Sequence, residues 1–193
     1  MARLQRRASV ARLLAGREGL LVVAGLGATA WDISAAGDRP LNFPTWGGMG
    51  NAAMIGLGLS LAQPDRRVLV LTGDGEMLMG LGALATIAVA RPANLAVVVI
   101  DNERYGETGM QETHTAHGVD LVGVARAAGI GETTLVTDAG GLDRLAQRLD
   151  APGLFFAIVK VAAAAEPFAL PPKDGHHLKT RFRLALLGSK GAV

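Results

Sequence analysis

The chain has 193 residues, of which 50% are hydrophobic, 26 are glycine and 4% are aromatic, and its formal net charge is +2. So small a charge, carried by basic residues scattered along the chain, argues against nucleic acid as a partner. The absence of cysteine excludes disulfides, thiol nucleophiles and cysteine-based zinc sites, and it fits the cytoplasmic location that we expect.

The first half of the chain predicts buried strands that are each followed by a helix. Apolar spacing from Leu4 to Leu14 predicts a surface helix rather than a transit peptide. Next come a strand LLVVA at 20–24, a turn and helix GLGATAWDISAAG, a strand RVLVLTGDG at 67–75 and one helix MLMGLGALATIAVA at 77–90. The segment 41–64 is uncharged, but Pro44, Asn51 and several glycines make it a poor membrane span, and we expect no membrane association.

The second half continues the same alternation. It comprises a strand NLAVVVIDN at 94–102, a polar loop at 103–118, a helix VDLVGVARAAG, a strand TTLVTD, a helix LDRLAQRLD and a strand GLFFAIVKVA at 153–162. The tail 165–193 is interrupted by prolines and then becomes helical, and we expect it to pack on a neighbour.

Strands that are apolar throughout, each followed by a helix, indicate a parallel sheet with both faces covered. The sequence therefore predicts one α/β domain over residues 1–193, a three-layer sandwich around a mostly parallel sheet. In such sheets ligands bind at the carboxyl ends of the strands. Gly25–Thr29, Gly73–Gly75 and Asn102 all fall at such ends.

The segment GLGATA at 25–30 matches the pattern G-x-G-x-x-A after a strand, which is typical of dinucleotide binding. That pattern requires an acidic residue about 20 positions later, to hold a ribose hydroxyl. Pro44, Thr45 and Trp46 stand there instead. The glycines therefore indicate either a turn that presents backbone N–H groups to a phosphate at a helix N-terminus, or a turn that only tightens packing.

A second pattern joins two strand ends. Gly73-Asp74-Gly75 ends one predicted strand, Asn102 ends the next, and 26 residues separate Gly75 from Asn102. That spacing fits one strand–helix–strand unit and places Asp74 beside Asn102 at the same sheet edge. A carboxylate, an amide oxygen and backbone carbonyls are ligands that Mg²⁺ prefers when it also holds phosphates. The alternative is an ordinary Gly-Asp-Gly turn with a solvated acid.

These residues resemble the signature of thiamine-diphosphate-dependent 2-oxo acid decarboxylases, in which GDG precedes an asparagine at a strand end. PTWGGMG at 44–50 is similar to the segment that grips the aminopyrimidine ring in that family. The runs around both motifs, and the tail PPKDGHHLKTRFRLALLG, look most like the β chains of sulfopyruvate decarboxylases and the matching part of phosphonopyruvate decarboxylases. The resemblance covers nearly the entire chain.

The resemblance implies that Asp74, the Asn102 amide and the Arg104 carbonyl bind Mg²⁺. It also implies that the Gly47 carbonyl accepts a hydrogen bond from the cofactor's 4′-amino group. The Met49 amide would meet the pyrimidine ring, and the Met49 side chain would bend the cofactor. Further cofactor contacts would come from Gly27, Ala28, Thr29, Gly48, Gly73, Gly75, Glu76, Tyr105 and Gly106.

Two positions depart from the family pattern. Asp101 stands where an asparagine often precedes the ligand, and Glu76 stands where a small residue commonly follows GDG. A carboxylate at position 76 is compatible with a diphosphate only if its side chain points away. The other internal methionines, Met54, Met77 and Met79, are expected to be core residues.

The loop 103–118 holds candidates for substrate contact. Gln111, Thr113 or a protonated His114 could hold an anionic group, although loop histidines are commonly solvated. His114 and His117 lack the H-E-x-x-H arrangement and a clear third ligand, which argues against zinc. The tail histidines His176 and His177 are expected to lie on the surface.

The resemblance implies the diphosphate-binding half of an enzyme that decarboxylates a small 2-oxo acid with thiamine diphosphate and Mg²⁺. The chain is too short to contain both halves of such a site. A pyrimidine-binding partner subunit would supply the activating glutamate, in an α2β2 or larger hetero-oligomer. Three alternatives stay open: a carboligase of the acetolactate-synthase kind, an NAD(P)-binding dehydrogenase, and a non-catalytic regulatory chain.

Overall fold

A computed structural model describes residues 3–192, and the rest of the predicted domain 1–193 lies outside the described residues. The strands are β1 Leu21–Ala24, β2 Asn42–Pro44, β3 Val68–Gly73, β4 Leu95–Asp101, β5 Arg104–Tyr105, β6 Gln111–Glu112, β7 Thr133–Val136 and β8 Phe155–Lys160. The α-helices are α1 Arg6–Leu14, α2 Ala28–Ala35, α3 Ala52–Ala62, α4 Asp74–Met79, α5 Ala83–Ala90, α6 Leu121–Ala127, α7 Ala139–Arg148 and α8 Gly175–Leu187. The 3₁₀ turns are Gly106–Thr108, His114–His117 and Gly188–Ala192.

Six strands form one parallel sheet in the order β2-β1-β3-β4-β8-β7. The central strands are buried on both faces, and alternate side chains of β3 enter two separate cores: Leu69 and Leu71 on one face, Val68 and Val70 on the other. Helices α1, α2 and α7 cover the first face, and α3, α5 and α6 cover the second. This arrangement confirms the predicted three-layer α/β sandwich.

The strand order places a topological switch point between β1 and β3. From β1 the chain passes through α2 on one face to the edge strand β2, whereas from β3 it passes through α4 and α5 on the other face to β4. The two connections diverge from neighbouring strand ends and leave a crevice between them. The segments Gly25–Thr29 and Gly73–Gly75 border this crevice, as the sequence predicts.

The single helix predicted over 77–90 is wrong, because the chain forms α4 and α5 with a break at Gly80–Gly82. Gly80 packs directly on the backbone of Gly50, where a Cβ atom on Gly80 would overlap the Gly50 carbonyl oxygen. This close approach bends the chain at a point where the apolar sequence pattern is uninterrupted. Strand β2 and the antiparallel hairpin β5–β6 were also missed, since two or three residues give no periodic signal.

The tail packs on its own chain. Phe182 of α8 is buried against Phe43 of β2, with ring centroids 5.4 Å apart, and Arg181 forms a double hydrogen bond with Asp38. His176 and His177 are exposed, as expected. Among residues 3–192 no helix has both the length and the apolar character needed to cross a membrane.

The methionine expectation is only partly right. Met77 is buried in the core, whereas Met54 is 39% exposed and Met79 is 63% exposed. The two exposed methionines lie on the outer side of α3 and α4, where apolar composition alone could not distinguish surface from core.

Candidate active site

A cavity of about 360 Å³ opens at the carboxyl ends of β1, β3 and β4. Its walls include many of the predicted cofactor residues: Ala28, Thr29, Met49, Gly73, Asp74, Gly75, Glu76, Asn102, Arg104, Tyr105 and Gly106. The predicted Gly27, Gly47 and Gly48 lie in the adjoining segments but not in the wall. A larger depression of about 490 Å³ lies at the amino ends of the strands, and none of the predicted site residues lines it.

Asp74 occupies the first turn of α4 with 2% of its surface exposed. Burial raises the pKa of the Asp74 carboxyl to about 6, and the charge of Asp101 adds to that rise. Hydrogen bonds from two hydroxyls oppose it: Thr113 Oγ1 lies 2.5 Å and Thr115 Oγ1 3.3 Å from Asp74 Oδ2. Both hydroxyls contact Oδ2, so Oδ1 is the oxygen that we expect a cation to bind.

Thr113 is therefore reassigned. The sequence suggested that its hydroxyl could touch substrate, but the side chain is fully buried and donates to Asp74. Thr115, which the sequence analysis missed, lies 2.9 Å from Asp101 Oδ1 as well as contacting Asp74. The motif Thr113-His114-Thr115 thus positions the carboxylate at the end of β3, and only the folded loop reveals this.

Asp101 does not face the cavity with an unpaired charge. Lys160 lies opposite it in the β4–β8 register, with its Nζ 2.8 Å from Asp101 Oδ2 and 2.8 Å from Glu103 Oε1. Burial acts to lower the pKa of Lys160, but the hydrogen bonds to both carboxylates outweigh burial and raise it. The departure from asparagine at position 101 is thus balanced by a lysine that sequence spacing could not connect to it.

The side chain of Asn102 is oriented by a hydrogen bond from the following turn. Its Oδ1 accepts a hydrogen bond from the Arg104 N–H at 3.0 Å, across a backbone that turns through a positive φ of 63° at Glu103. The Arg104 side chain turns to Glu112, with NH2 3.1 Å from Oε1. Asp74, Asn102 and Arg104 therefore line one cavity, as the magnesium prediction requires.

Glu76 is buried beneath the loop that follows β1. Its carboxyl lies against the Cα of Gly25, a contact that leaves no room for a side chain at position 25. Burial raises the pKa of Glu76, while the Thr72 hydroxyl and nearby backbone N–H groups of two loops act to lower it. Neither carboxylate oxygen makes a hydrogen bond of normal geometry in the described structure, so Glu76 is a buried acid in the wall of the cavity.

Two glycines of the site are fixed by close contacts. A Cβ atom on Gly75 would lie 2.5 Å from the Tyr105 ring, and one on Gly27 would lie 2.6 Å from Glu107 Oε1. Gly27 also has a positive φ of 71° as the N-cap of α2. The N-terminal turn of α2 therefore borders the cavity at Ala28 and Thr29, with the Glu107 carboxyl packed against Gly27 beside it.

The remaining loop candidates lie beside the cavity. Gln111 is exposed and exchanges hydrogen bonds with Thr108, its Nε2 lying 2.7 Å from the Thr108 carbonyl. His114 is exposed, with Nδ1 3.5 Å from the Tyr105 hydroxyl. His117 pairs with Glu112 at 3.2 Å. Over the described part of the chain, no three or more His, Asp or Glu side chains are grouped as metal ligands.

The cavity also contains residues that the sequence analysis did not predict: Arg6, Leu26, Met79, Ile100, Glu107 and Thr108. Arg6 has the least sequence signal, since it lies in the N-terminal helix and reaches the cavity only because α1 packs on α2. Its NH1 pairs with the fully buried Asp32 at 3.0 Å. Glu107 and Thr108 directly follow the predicted Tyr105-Gly106 and could have been included by proximity.

Comparison with known proteins identifies the family of the chain. Residues 27–153 match the family model of the thiamine pyrophosphate enzyme, C-terminal TPP binding domain. The chain is 38% identical to the sulfopyruvate decarboxylase subunit beta of Methanothermobacter thermautotrophicus, covering 93% of this chain and 94% of that one. It is 37% identical to the phosphonopyruvate decarboxylase of Streptomyces hygroscopicus, covering 84% of this chain but only 40% of that protein.

The fold comparison gives the same result. The thiamine diphosphate-dependent 4-hydroxybenzoylformate decarboxylase of Rhodococcus jostii RHA1 superposes with a TM-score of 0.71 at 21% identity, over 86% of this chain and 34% of that one. The cofactor is therefore thiamine diphosphate rather than the NAD(P) that was left open for Gly25–Ala30. The chain belongs to the thiamine pyrophosphate enzymes and carries their cofactor-binding C-terminal domain.

Proposed function

We propose that this chain is the diphosphate-binding subunit of a two-chain decarboxylase acting on a 2-oxo acid of the sulfopyruvate or phosphonopyruvate kind. One observation carries the proposal. Asp74, almost fully buried and held by two threonines, lies with Asn102 in a cavity beside the N-terminus of α2. The relatives named above are decarboxylases of these two acids, which supports the substrate class.

Different residues of the cavity would bind the metal ion, the diphosphate and the pyrimidine ring. Asp74, the Asn102 amide and the Arg104 carbonyl would hold Mg²⁺, since all three are hard oxygen ligands. Backbone N–H groups at the start of α2 would hold the diphosphate. The backbone of Gly47 and Met49 would meet the pyrimidine ring. Bound thiamine diphosphate supplies an electron sink for the electrons released when carbon dioxide leaves a 2-oxo acid.

The partner subunit would contribute a glutamate at the pyrimidine end of the site, completing an α2β2 or larger assembly. The subunit naming of the relative that this chain matches along nearly its whole length supports such a partner. Three carboxylates line the cavity wall: Asp74 at the start of α4, Glu76 beneath the loop after β1, and Glu107, whose carboxyl lies against Gly27. None of the three belongs to the segment Gly47–Met49, and we infer that a carboxylate at that end comes from the partner.

We place this partner on one apolar face, made of Met54, Ile55, Leu61, Met79 and Val89. These side chains lie on α3, α4 and α5 and are 36–85% exposed, and the segments 41–64 and 77–90 contain no charged residue. Met79 also lines the cavity, so the face is continuous with its mouth. A large uncharged apolar surface of this kind is typical of an obligate interface.

The experiment is a reconstitution. The chain is assayed for carbon dioxide release from sulfopyruvate, phosphonopyruvate and pyruvate, alone and with the product of a neighbouring gene of pyrimidine-domain size. We expect turnover only with both chains, thiamine diphosphate and Mg²⁺. Full activity of the isolated chain would refute the two-chain site. A cofactor-loaded complex that releases no carbon dioxide from any 2-oxo acid would refute the decarboxylase, and coupled products with an added acceptor would identify a carboligase.

A further inference from the structure

The loop 45–50, which would carry the pyrimidine contacts, is fixed at its two ends. At the first end, the Thr45 N–H and the Thr45 hydroxyl both donate to the Ala24 carbonyl at 3.0 Å. At the second, the Asn51 N–H and side-chain amide donate to the Gly48 carbonyl at 3.1 and 2.9 Å. Between these anchors Gly47 is exposed, and a Cβ atom placed on it would meet nothing within 4 Å among the described residues. Gly47 therefore has no side-chain anchor of its own, and the neighbouring Trp46 makes a contact with another segment of the chain.

Trp46 is held by the C-terminal strap, the segment 162–174 that joins β8 to α8 without forming a helix or strand. The Trp46 Nε1 donates to the Pro172 carbonyl at 2.7 Å. The Lys173 ammonium lies 5.9 Å from the centroid of the indole ring, within the range of a cation–π contact. Trp46 is otherwise 43% exposed, so this contact is made at the surface rather than in the core.

The strap is itself anchored on both sides of this contact. Upstream, Arg7 NH2 donates to the Pro167 carbonyl at 2.6 Å, and Phe168 meets the Trp31 ring edge-on at 4.7 Å. Downstream, Asp174 accepts hydrogen bonds from the N–H groups of His176 and His177 and begins α8. Since α8 is docked on β2 through Phe182 and Phe43, the Pro172 carbonyl is presented from a fixed base.

We propose that Trp46 is a positioning residue, through which the strap fixes the loop 45–50 for binding of the aminopyrimidine half of thiamine diphosphate. The proposal rests on the proposed function, because that function assigns Gly47 and Met49 to the pyrimidine ring. The diphosphate half would be held by other elements that line the cavity: α2, the start of α4 and the end of β4. Loss of the Trp46–Pro172 hydrogen bond should therefore affect one half of the cofactor and spare the other.

The test distinguishes the aminopyrimidine half of the cofactor from its diphosphate half by comparing two ligands. The affinity of the full chain is measured by calorimetry for thiamine diphosphate and for inorganic diphosphate, each with Mg²⁺. Trp46→Phe keeps the ring but removes the N–H donor, and it should weaken thiamine diphosphate binding about 2- to 10-fold, the range expected for one hydrogen bond. Inorganic diphosphate binding should change by less than 2-fold. Trp31→Phe also replaces a tryptophan by phenylalanine but keeps an aromatic ring against Phe168 and leaves the Trp46–Pro172 hydrogen bond intact, so it is the matched control and should change neither affinity.

A second readout uses fluorescence. The chain contains two tryptophans, so Trp31→Phe leaves Trp46 as the sole emitter. Thiamine diphosphate should change its emission, whereas inorganic diphosphate should not. Unchanged thiamine diphosphate affinity in both Trp46→Phe and Trp46→Ala overturns the positioning role, as does equal weakening of both ligands in a variant that unfolds at the wild-type temperature. A wild-type chain that binds inorganic diphosphate but never thiamine diphosphate, with or without the partner, would instead sink the proposed function.

Discussion

At the scale of single residues, Asp74 is a buried acid whose charge is costly in the absence of a cation. A carboxylate that is 2% exposed is stable only with partners, and the two threonine hydroxyls supply part of that stabilisation. A divalent ion at Oδ1 would supply the rest. Without the ion, the Asp74 carboxyl is partly protonated near neutral pH. Part of the free energy of ion binding therefore offsets the cost of removing that proton.

Asp74→Asn should separate stability from binding. The neutral amide removes the buried charge, so the free energy of unfolding of the cofactor-free chain should rise by about 1–3 kcal/mol at pH 7. Magnesium-dependent binding of thiamine diphosphate should be lost. Chemical denaturation and calorimetry measure the two effects. Asp65→Asn, at an exposed carboxylate far from the cavity, should change neither quantity.

The pKa of Asp74 also predicts a pH dependence. The folded-state pKa of about 6 exceeds the unfolded value of 3.8, so the folded cofactor-free chain binds this proton more tightly. The stability advantage of Asp74→Asn should therefore be absent below about pH 4, grow as pH rises toward 6 and then stay constant. An advantage that grows as pH falls would contradict the assignment.

Magnesium affinity should also rise with pH up to about 6, because Mg²⁺ must displace the proton on Asp74. It should fall by about tenfold per pH unit below pH 6, with proton release detectable by calorimetry in two buffers. Asp101→Asn removes a charge that raises the Asp74 pKa, so it should move the onset of this fall to lower pH.

Substitutions of Thr113 can show whether its hydroxyl, rather than the volume of its side chain, positions the Asp74 carboxylate. Thr113→Val leaves a similar volume but no donor, and it should weaken magnesium-dependent cofactor binding by about tenfold, as expected for a hydrogen bond to a charged group. Thr113→Ser should restore most of the affinity. Thr134→Val, on the exposed side of β7, controls for the loss of a threonine hydroxyl in general. Equal affinities for Thr113→Val and wild type would contradict the positioning role of the Thr113 hydroxyl.

At the scale of elements, the break between α4 and α5 decides the shape of the cavity. One continuous helix from residue 77 to 90 would carry Met79 away from the loop that holds Met49. Instead Gly80 packs against the Gly50 backbone and ends α4 after six residues. Both methionines then line the same cavity wall.

Gly80→Ala should disturb this packing, because the added Cβ overlaps the Gly50 carbonyl. We expect a loss of about 1–3 kcal/mol in the free energy of unfolding, the usual cost of overpacking. Thiamine diphosphate affinity should fall with it, since Met49 must move. Gly82→Ala is the matched control: a Cβ atom there meets nothing within 4 Å, and its φ of −59° suits alanine. A wild-type denaturation midpoint for Gly80→Ala would contradict the close approach.

At the scale of the whole molecule, the outer surfaces of the two helical layers differ in polarity. The face with α1 and α7 carries charged pairs such as Arg12–Asp143 and Arg17–Asp150. The outer sides of α3 and α5 are apolar and uncharged beside the mouth of the cavity. This asymmetry is what the proposed two-chain site requires.

Val89→Asp should therefore prevent association with the partner. Val89 is 85% exposed, so a charge there costs little in the isolated chain but would be buried in the complex. We expect an unchanged denaturation midpoint and a loss of co-elution in size-exclusion chromatography. Leu135→Asp places the same charge on a 54% exposed leucine of the edge strand β7 and should leave assembly intact. Co-elution of the Val89→Asp chain would move the interface elsewhere.

The sequence by itself determined the local chemistry and its order. Uninterrupted apolar strands required a covered parallel sheet, and the spacing of Asp74 and Asn102 over one strand–helix–strand unit brought both to the same edge. These features depend on neighbours in the chain or on one crossover, and the resemblance to a cofactor signature added the ligand. Fold class, family and cofactor could all be predicted in this way.

Only the tertiary structure decided which side chains from distant segments support that chemistry. Thr113 and Thr115 reach Asp74 because a loop folds back, Lys160 meets Asp101 because β8 lies beside β4, and Pro172 meets Trp46 because a tail crosses to β2. Such contacts leave no periodic trace in the sequence, since their residues are separated by tens of positions and share no secondary-structure element. Exposure of Met79 was undetermined for the same reason: an apolar helix is compatible with a core or an interface, and only packing distinguishes them.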